Sequence, residues 1–187
     1  MSLVAVRRAS PARVRALLAR ELGRPEDPDT ARLVRALVRA RRRGWLTRAE
    51  FLAACRWKSA RAVRLHRANG SSRIRAVTRA AFRTSSEPRR MALLTELAGV
   101  SAPTASAILT LTGPRRYGVL DIRVWQLLYR LAAVHRNPAG RSFTLDHWLE
   151  FLGLLRREAR RYRVTARALE IALFRCHRRL QTGRLYE

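Results

Sequence analysis

The chain has 187 residues, 40 of them lysine or arginine and 13 of them aspartate or glutamate, which gives a formal charge of +27. Hydrophobic residues make up 48% of the chain, which excludes a disordered basic tail and predicts a folded domain with its own core. The excess of positive charge indicates a polyanionic partner, with nucleic acid favoured over an anionic membrane surface. Lys58 is the one lysine among the basic residues.

Neither a membrane segment nor a metal site is expected. No apolar run reaches the roughly 18 residues that a membrane-spanning helix needs. The opening MSLVAVRRAS is too short and too early charged for a signal peptide, so a cytoplasmic, nucleoid-associated protein without a membrane partner is expected. Cys55 and Cys176 lie far apart without CxxC spacing, which predicts reduced core thiols. The histidines show no metal-ligand spacing, and neither a metal nor a cofactor is expected.

The chain shows helical patterns throughout and almost no alternation typical of strands. The predicted helices run from Ser10-Pro11 to near Gly23, from Asp29 to about Arg43, from Thr47 to a break near Trp57-Lys58, along SARAVRLHRAN to Asn69, from Ser71 or Ser72 to about Arg83, along SSEPRRMALLTELA, from Pro103 to about Leu111, from Asp121 to about His135, from Thr144 to about Arg161, and from Thr165 to about Leu180. With short loops and no internal repeat, residues 1–187 are predicted to form one all-α unit, an orthogonal array of about ten helices.

A tight turn at Gly99-Val100-Ser101 separates two short predicted helices between about residues 88 and 112. Such a hairpin places several backbone N–H groups at one tip, where the second helix also begins and its dipole is positive. This geometry binds phosphate without reading sequence. The alternative interpretation is an ordinary packed corner between two helices.

The stretch LAGVSAPTASAIL, the turn TGPRRYG and the following VLDIRVW resemble the helix-hairpin-helix superfamily of DNA glycosylases, which includes endonuclease III and the 3-methyladenine glycosylases. The positions that match the family's hairpin pattern are Leu97, Gly99, Val100, Thr104 and Ala105. Asp121 follows Pro103 by eighteen residues, which is the family's register for its aspartate. The hairpin at about 88–112, and the Gly/Pro loop with the aspartate helix at about 113–135, carry this resemblance over about 30 core residues.

The resemblance implies two helical lobes with Asp121 in the cleft as the catalytic carboxylate, which stabilises a sugar cation and orients a water molecule. The alternative role for Asp121 is that of a helix cap alone. Pro103 stands where bifunctional members carry a lysine, so the resemblance implies a monofunctional enzyme without a lyase step. Ser101 replaces the second hairpin glycine, and Arg123 stands where many members have histidine. The family's four iron–sulfur cysteines are missing, so no cluster is expected.

The segment AACRWKSAR is the candidate for base flipping, which requires a wedge and an aromatic pocket. Trp57 is suited to stacking on bases, although core packing is an equal alternative. Lys58 can reach a phosphate or a base edge, with a solvated surface amine as its alternative role. Arg61 lies one turn further along, and Arg61 and Arg123 are further base-flipping candidates.

These features predict a monomeric, monofunctional DNA glycosylase of base-excision repair that acts on double-stranded DNA containing a lesion. The alternatives are a non-catalytic double-stranded DNA-binding protein of the same fold, or a basic RNA-binding protein.

Overall fold

A computed structural model of the chain describes residues 5–6 and 10–182, and these residues form an all-α fold, as predicted. The helices are α1 (Pro11–Leu22), α2 (Pro28–Arg43), α3 (Arg48–Lys58), α4 (Val63–Arg67), α5 (Ser71–Arg83), α6 (Glu87–Thr95), α7 (Ala102–Thr112), α8 (Ile122–Arg130), α9 (Leu145–Arg161) and α10 (Ala166–Leu180). Two short strands, β1 (Ala5–Val6) and β2 (Gln181–Thr182), pair antiparallel and bring the two ends of the described chain together.

Side-chain caps start most of these helices where the sequence indicates. Thr47 and Glu50 form the predicted capping box at the start of α3. Thr144 and Thr165 accept hydrogen bonds from the first turns of α9 and α10, as their hydroxyls predict.

Several predicted helix boundaries are wrong, and among them the helix predicted along SARAVRLHRAN is reduced to α4, Val63–Arg67. Asp27 rather than Asp29 caps α2, because Pro28 fits the first helical position and Asp27 Oδ1 accepts from the Thr30 amide at 2.9 Å. Gly70 precedes α5, and Ser71 is already its first helical residue. Helix α8 ends at Arg130 instead of about His135, because Ala132 adopts a left-handed backbone conformation with φ of 54°.

Helix α7 is the centre of the fold, and ten of its eleven residues are buried. It contacts α2, α3, α6 and α9, whereas α10 contacts α1, α8 and α9. The helices therefore form two groups, one around α7 and one around α10. The chain passes from the first group to the second between Gly113 and Asp121, so Asp121 lies at the junction of the groups.

The turn between α6 and α7 is held by the turn between α4 and α5. The buried Asn69 side chain donates to the Ala98 carbonyl at 3.0 Å and accepts from the Ala98 amide at 2.9 Å. His66 Nε2 donates to the Gly99 carbonyl at 2.9 Å. Gly99 has a φ of +78°, and a Cβ atom there would lie 2.8 Å from Leu65 Cβ. Glycine at this position is therefore required by packing within the protein.

Gly99→Ala is expected to lower the free energy of unfolding more than Gly44→Ala does. Both glycines have a positive φ, but a Cβ at Gly44 meets nothing within 4 Å. The additional contact with Leu65 and His66 should cost about 1–3 kcal/mol beyond the backbone strain that the two variants share. Urea denaturation of both variants measures the difference. Equal destabilisation would show that the turn yields easily to a methyl group.

Candidate functional site

Lys58, the last residue of α3, and Asp121, the N-cap of α8, form an ion pair at the junction of the two helix groups. Lys58 Nζ lies 2.7 Å from Asp121 Oδ2, and both side chains are mostly buried. Asp121 Oδ1 accepts a hydrogen bond from the Arg123 backbone amide at 3.0 Å, so Asp121 also caps α8. Capping of α8 therefore uses one carboxylate oxygen, and the other oxygen binds Lys58.

The pair fixes the charge state of Asp121. Burial alone would raise the pKa of this carboxyl, but the Lys58 ammonium, its hydrogen bond and the Arg123 amide together hold the pKa below its usual value. Asp121 is therefore ionised at neutral pH, as a carboxylate that stabilises developing positive charge must be.

One side of the pair opens into a cavity of about 510 Å³, here named the hairpin-side cavity. Lys58, Asp121 and Arg123 line it where the two helix groups meet. The predicted site residues that also line it are Arg61, Gly99, Ser101 and Thr104. The structure therefore brings the predicted hairpin, Asp121 and part of the predicted base-flipping segment to one opening.

The residues of the hairpin turn differ in burial and in hydrogen bonding. Val100 is buried, so its apolar side chain packs in the core. Ser101 Oγ lies 3.3 Å from Thr104 Oγ1, and neither hydroxyl caps α7. The amides at the start of α7 thus lack a side-chain acceptor, a condition that suits an anion at the turn.

The pair also lines a second cavity of about 410 Å³, here named the inner cavity. Trp57 lines it, with Nε1 donating to Thr30 Oγ1 at 3.0 Å and the Arg167 guanidinium 5.1 Å from the ring centroid. The indole is held between α2 and α10, so it forms a wall of the cavity. Its position differs from that of the predicted wedge, which requires a side chain that projects from the helix break.

Arg123 lines both cavities, with its guanidinium 5.3 Å from the ring centroid of Phe174. Its Nε is buried and has no hydrogen-bond partner within the described residues. The neighbouring His177 is fully buried, and burial together with the Arg123 charge lowers its pKa to about 4. His177 is therefore neutral at physiological pH, and its Nε2 lies 3.2 Å from Gln126 Oε1.

The sequence interpretation missed the inner cavity's acidic side chains, because no motif contains them. Glu26 lies in the loop before α2, and Glu170 lies in α10. Both bind Arg167, with Glu26 Oε1 at 2.5 Å from Arg167 Nη2. Burial raises the pKa of Glu170, against the opposing effect of the Arg167 charge. The signal that could have identified Glu170 is a carboxylate on the apolar face of ARALEIALF in a chain with few acids.

Lys58→Met is expected to lower the free energy of unfolding by about 2–4 kcal/mol at pH 7, because it leaves a mostly buried carboxylate unpaired. A depressed folded pKa contributes stability above the ordinary carboxylate value of about 3.9, and that contribution is lost as pH falls through the folded pKa. The destabilisation should therefore shrink in strong acid. Urea denaturation as a function of pH tests this, with Lys58→Arg as the charge-retaining control. A constant difference across pH would contradict the pairing.

Within residues 5–6 and 10–182, no group of three or more His, Cys, Asp or Glu side chains lies where it could hold a metal ion. Cys55 and Cys176 are buried free thiols. None of the helices in the described part of the chain is long and apolar enough to cross a membrane. Comparisons with protein-family models, with curated proteins and with solved structures found no match to this chain. The functional assignment therefore depends on the chemistry of the ion pair and its two cavities.

Proposed function

We propose that the protein is a DNA glycosylase of the helix-hairpin-helix type, which hydrolyses the N-glycosidic bond of a damaged or mispaired base flipped out of the duplex. The observation that carries the proposal is the ionised Asp121 carboxylate, held by Lys58 at the boundary between two cavities. A nucleotide that occupies both cavities has its glycosidic bond at that boundary.

The hairpin-side cavity has the chemistry to hold the sugar-phosphate part of the substrate. Arg61, Arg123 and Arg141 line it together with the hairpin turn. Guanidinium groups and free backbone amides are the donors that proteins use to bind phosphate. The net charge of +27 adds a long-range attraction for DNA.

The inner cavity shares Asp121 with the hairpin-side cavity and has aromatic and polar walls suited to a base. Flipping costs a few kcal/mol, which a pocket that stacks and hydrogen-bonds the base offsets. As the C1′–N bond breaks, the sugar acquires oxocarbenium character, and the Asp121 charge stabilises it. A water molecule then adds to C1′, and the departing base nitrogen takes up a proton. The product is an intact abasic site.

The monofunctional character of the proposal is supported by Pro103, which lines the hairpin-side cavity and carries no amine. Lys58 is bound to an ionised carboxylate and acts as its counter-ion. A protonated amine has no lone pair for attack on a sugar carbon.

One observation favours a second candidate, an enzyme that also cleaves the strand. Lys58 Nζ is an amine 2.7 Å from the proposed catalytic carboxylate. If it loses its proton in the complex, its nitrogen can bond to C1′ as the bond to the base breaks and the base leaves with the electron pair. Opening of the sugar ring then gives an imine, which borohydride reduces to a stable protein–DNA adduct.

Asp121→Asn is expected to slow base release by about a hundredfold or more, because it removes a preorganised charge from the reacting sugar. Binding of the lesion duplex should persist, since asparagine keeps the size and much of the capping. Single-turnover reactions on a panel of duplexes, each with one modified base, followed by hot alkali, measure the rate. Asp146→Asn, in the exposed first turn of α9, is the matched control. Full activity of Asp121→Asn would contradict the mechanism, and a wild-type protein inactive on every duplex would favour a non-catalytic DNA-binding protein.

Borohydride is expected to trap no adduct with the wild-type protein, and Lys58→Arg is expected to keep most of the activity because it preserves the charge beside Asp121. Denaturing gel electrophoresis of radiolabelled duplex after borohydride treatment measures trapping. An adduct that forms with the wild-type protein and disappears in Lys58→Arg would overturn the monofunctional assignment in favour of the amine mechanism.

A further inference from the structure

We infer that the protein has a second DNA-binding surface, a cavity between the start of α3 and α5 that holds backbone phosphates away from the reacting nucleotide. The inference rests on the proposed function for its partner, duplex DNA, and it adds a contact outside the two cavities that share the Lys58–Asp121 pair. The cavity has a volume of about 480 Å³ and is here named the α3–α5 cavity. Its lining includes Trp45, Arg48, Ser71, Ser72, Arg75 and Arg79.

The lining of the α3–α5 cavity carries positive charge that no carboxylate balances. Arg48, Arg75 and Arg79 contribute three guanidiniums, and none of the described residues that line the cavity is an aspartate or a glutamate. Within the part of the chain that the structure describes, these three arginines form no ion pair. Glu50, the acid in the first turn of α3, is bound by Arg43 Nη2 at 2.5 Å. An anion is therefore the kind of ligand that neutralises this lining.

A row of donors follows one face of α5. Ser71, Arg75 and Arg79 lie four residues apart in this helix, so their side chains are neighbours on its surface. Like charges at this spacing repel each other and destabilise a helix. A phosphate that accepts hydrogen bonds from both guanidiniums replaces the repulsion with attraction, and the Ser71 hydroxyl adds a donor at the start of the row.

Trp45 and Arg48 fix the shape of the cavity. The guanidinium carbons of Arg43 and Arg75 each lie 4.3 Å from the centroid of the Trp45 ring. These two guanidiniums cover the indole, so a base cannot stack on it without displacing one of them. Arg48 Nη2 donates to the Arg67 carbonyl at 2.9 Å, which holds this side chain against the end of α4. The cavity is therefore suited to the DNA backbone and does not read bases.

The α3–α5 cavity lies one helix length from the reacting centre. Thr47 caps the start of α3 and Lys58 ends it, and eleven steps of about 1.5 Å separate these residues by about 16 Å. Among the described residues, the cavity shares no lining residue with the hairpin-side cavity or the inner cavity. A duplex rises by about 3.4 Å for each base pair, so this distance corresponds to about five base-pair steps. The flank of a duplex whose reacting nucleotide lies at Asp121 can therefore reach the cavity.

The double variant Arg75→Gln with Arg79→Gln is expected to lower the salt dependence of DNA binding, because two phosphate contacts are lost. The measurement is fluorescence anisotropy with a labelled, undamaged duplex of about 24 base pairs, at NaCl concentrations between about 50 and 200 mM. The slope of log K against log[NaCl] should become shallower by about two, and the affinity at the lowest salt should fall by about tenfold or more. The charge-retaining variant Arg75→Lys with Arg79→Lys should keep most of the wild-type slope.

The matched control is Arg157→Gln with Arg161→Gln, which removes the same charge at the same spacing from exposed side chains of α9. It should leave the slope unchanged. Equal slope changes in the α5 and α9 variants would show a general effect of net charge and overturn the inference, as would an unchanged slope in the α5 variant. A loss of binding seen only with an RNA duplex of the same sequence would overturn it in favour of RNA. Because these measurements need no base release, a wild-type protein inactive on every modified base would refute the proposed glycosylase and leave this surface standing.

Discussion

A carboxylate can remain ionised inside a protein only if something compensates the water it has lost, and the Lys58–Asp121 pair meets this requirement. The ammonium comes from the end of one helix and the carboxylate from the start of another, so the pair also joins the two helix groups. Because one Asp121 oxygen caps α8 while the other binds Lys58, the carboxylate has little freedom to turn. Preorganised charge of this kind needs no rearrangement when positive charge develops beside it.

The rest of the architecture builds the two cavities that share this pair and that differ in their other lining residues. On one side the turn before α7 is held by Asn69 and His66, which are buried. On the other side Arg167 gathers carboxylates that would otherwise repel one another. Both arrangements use buried polar side chains to orient neighbouring groups. Buried polar side chains stabilise a protein only when their hydrogen-bond partners are present.

The sequence predicted the all-α class and most of the helix starts, because helix caps are local patterns. Thr47, Thr144 and Thr165 show this directly. The sequence also singled out both residues of the ion pair, because the spacing that identifies Asp121 is a local pattern too. The pairing of Lys58 with Asp121 could not be predicted, since 63 residues separate them and tertiary packing brings them together. The packing role of Gly99 could not be predicted either, because the sequence does not show that the Leu65 side chain lies against this glycine in the fold.

The solitary lysine has a practical consequence. Since every other basic side chain of this type is a guanidinium, the chain offers amine-acylating reagents a single side-chain target, at Lys58. The Lys58 amine is mostly buried and bound to a carboxylate, so its acylation rate reports how accessible this amine is where the two cavities meet. A mass shift on one peptide is then a measure of site occupancy, and the protein carries its own chemical probe without any engineered label.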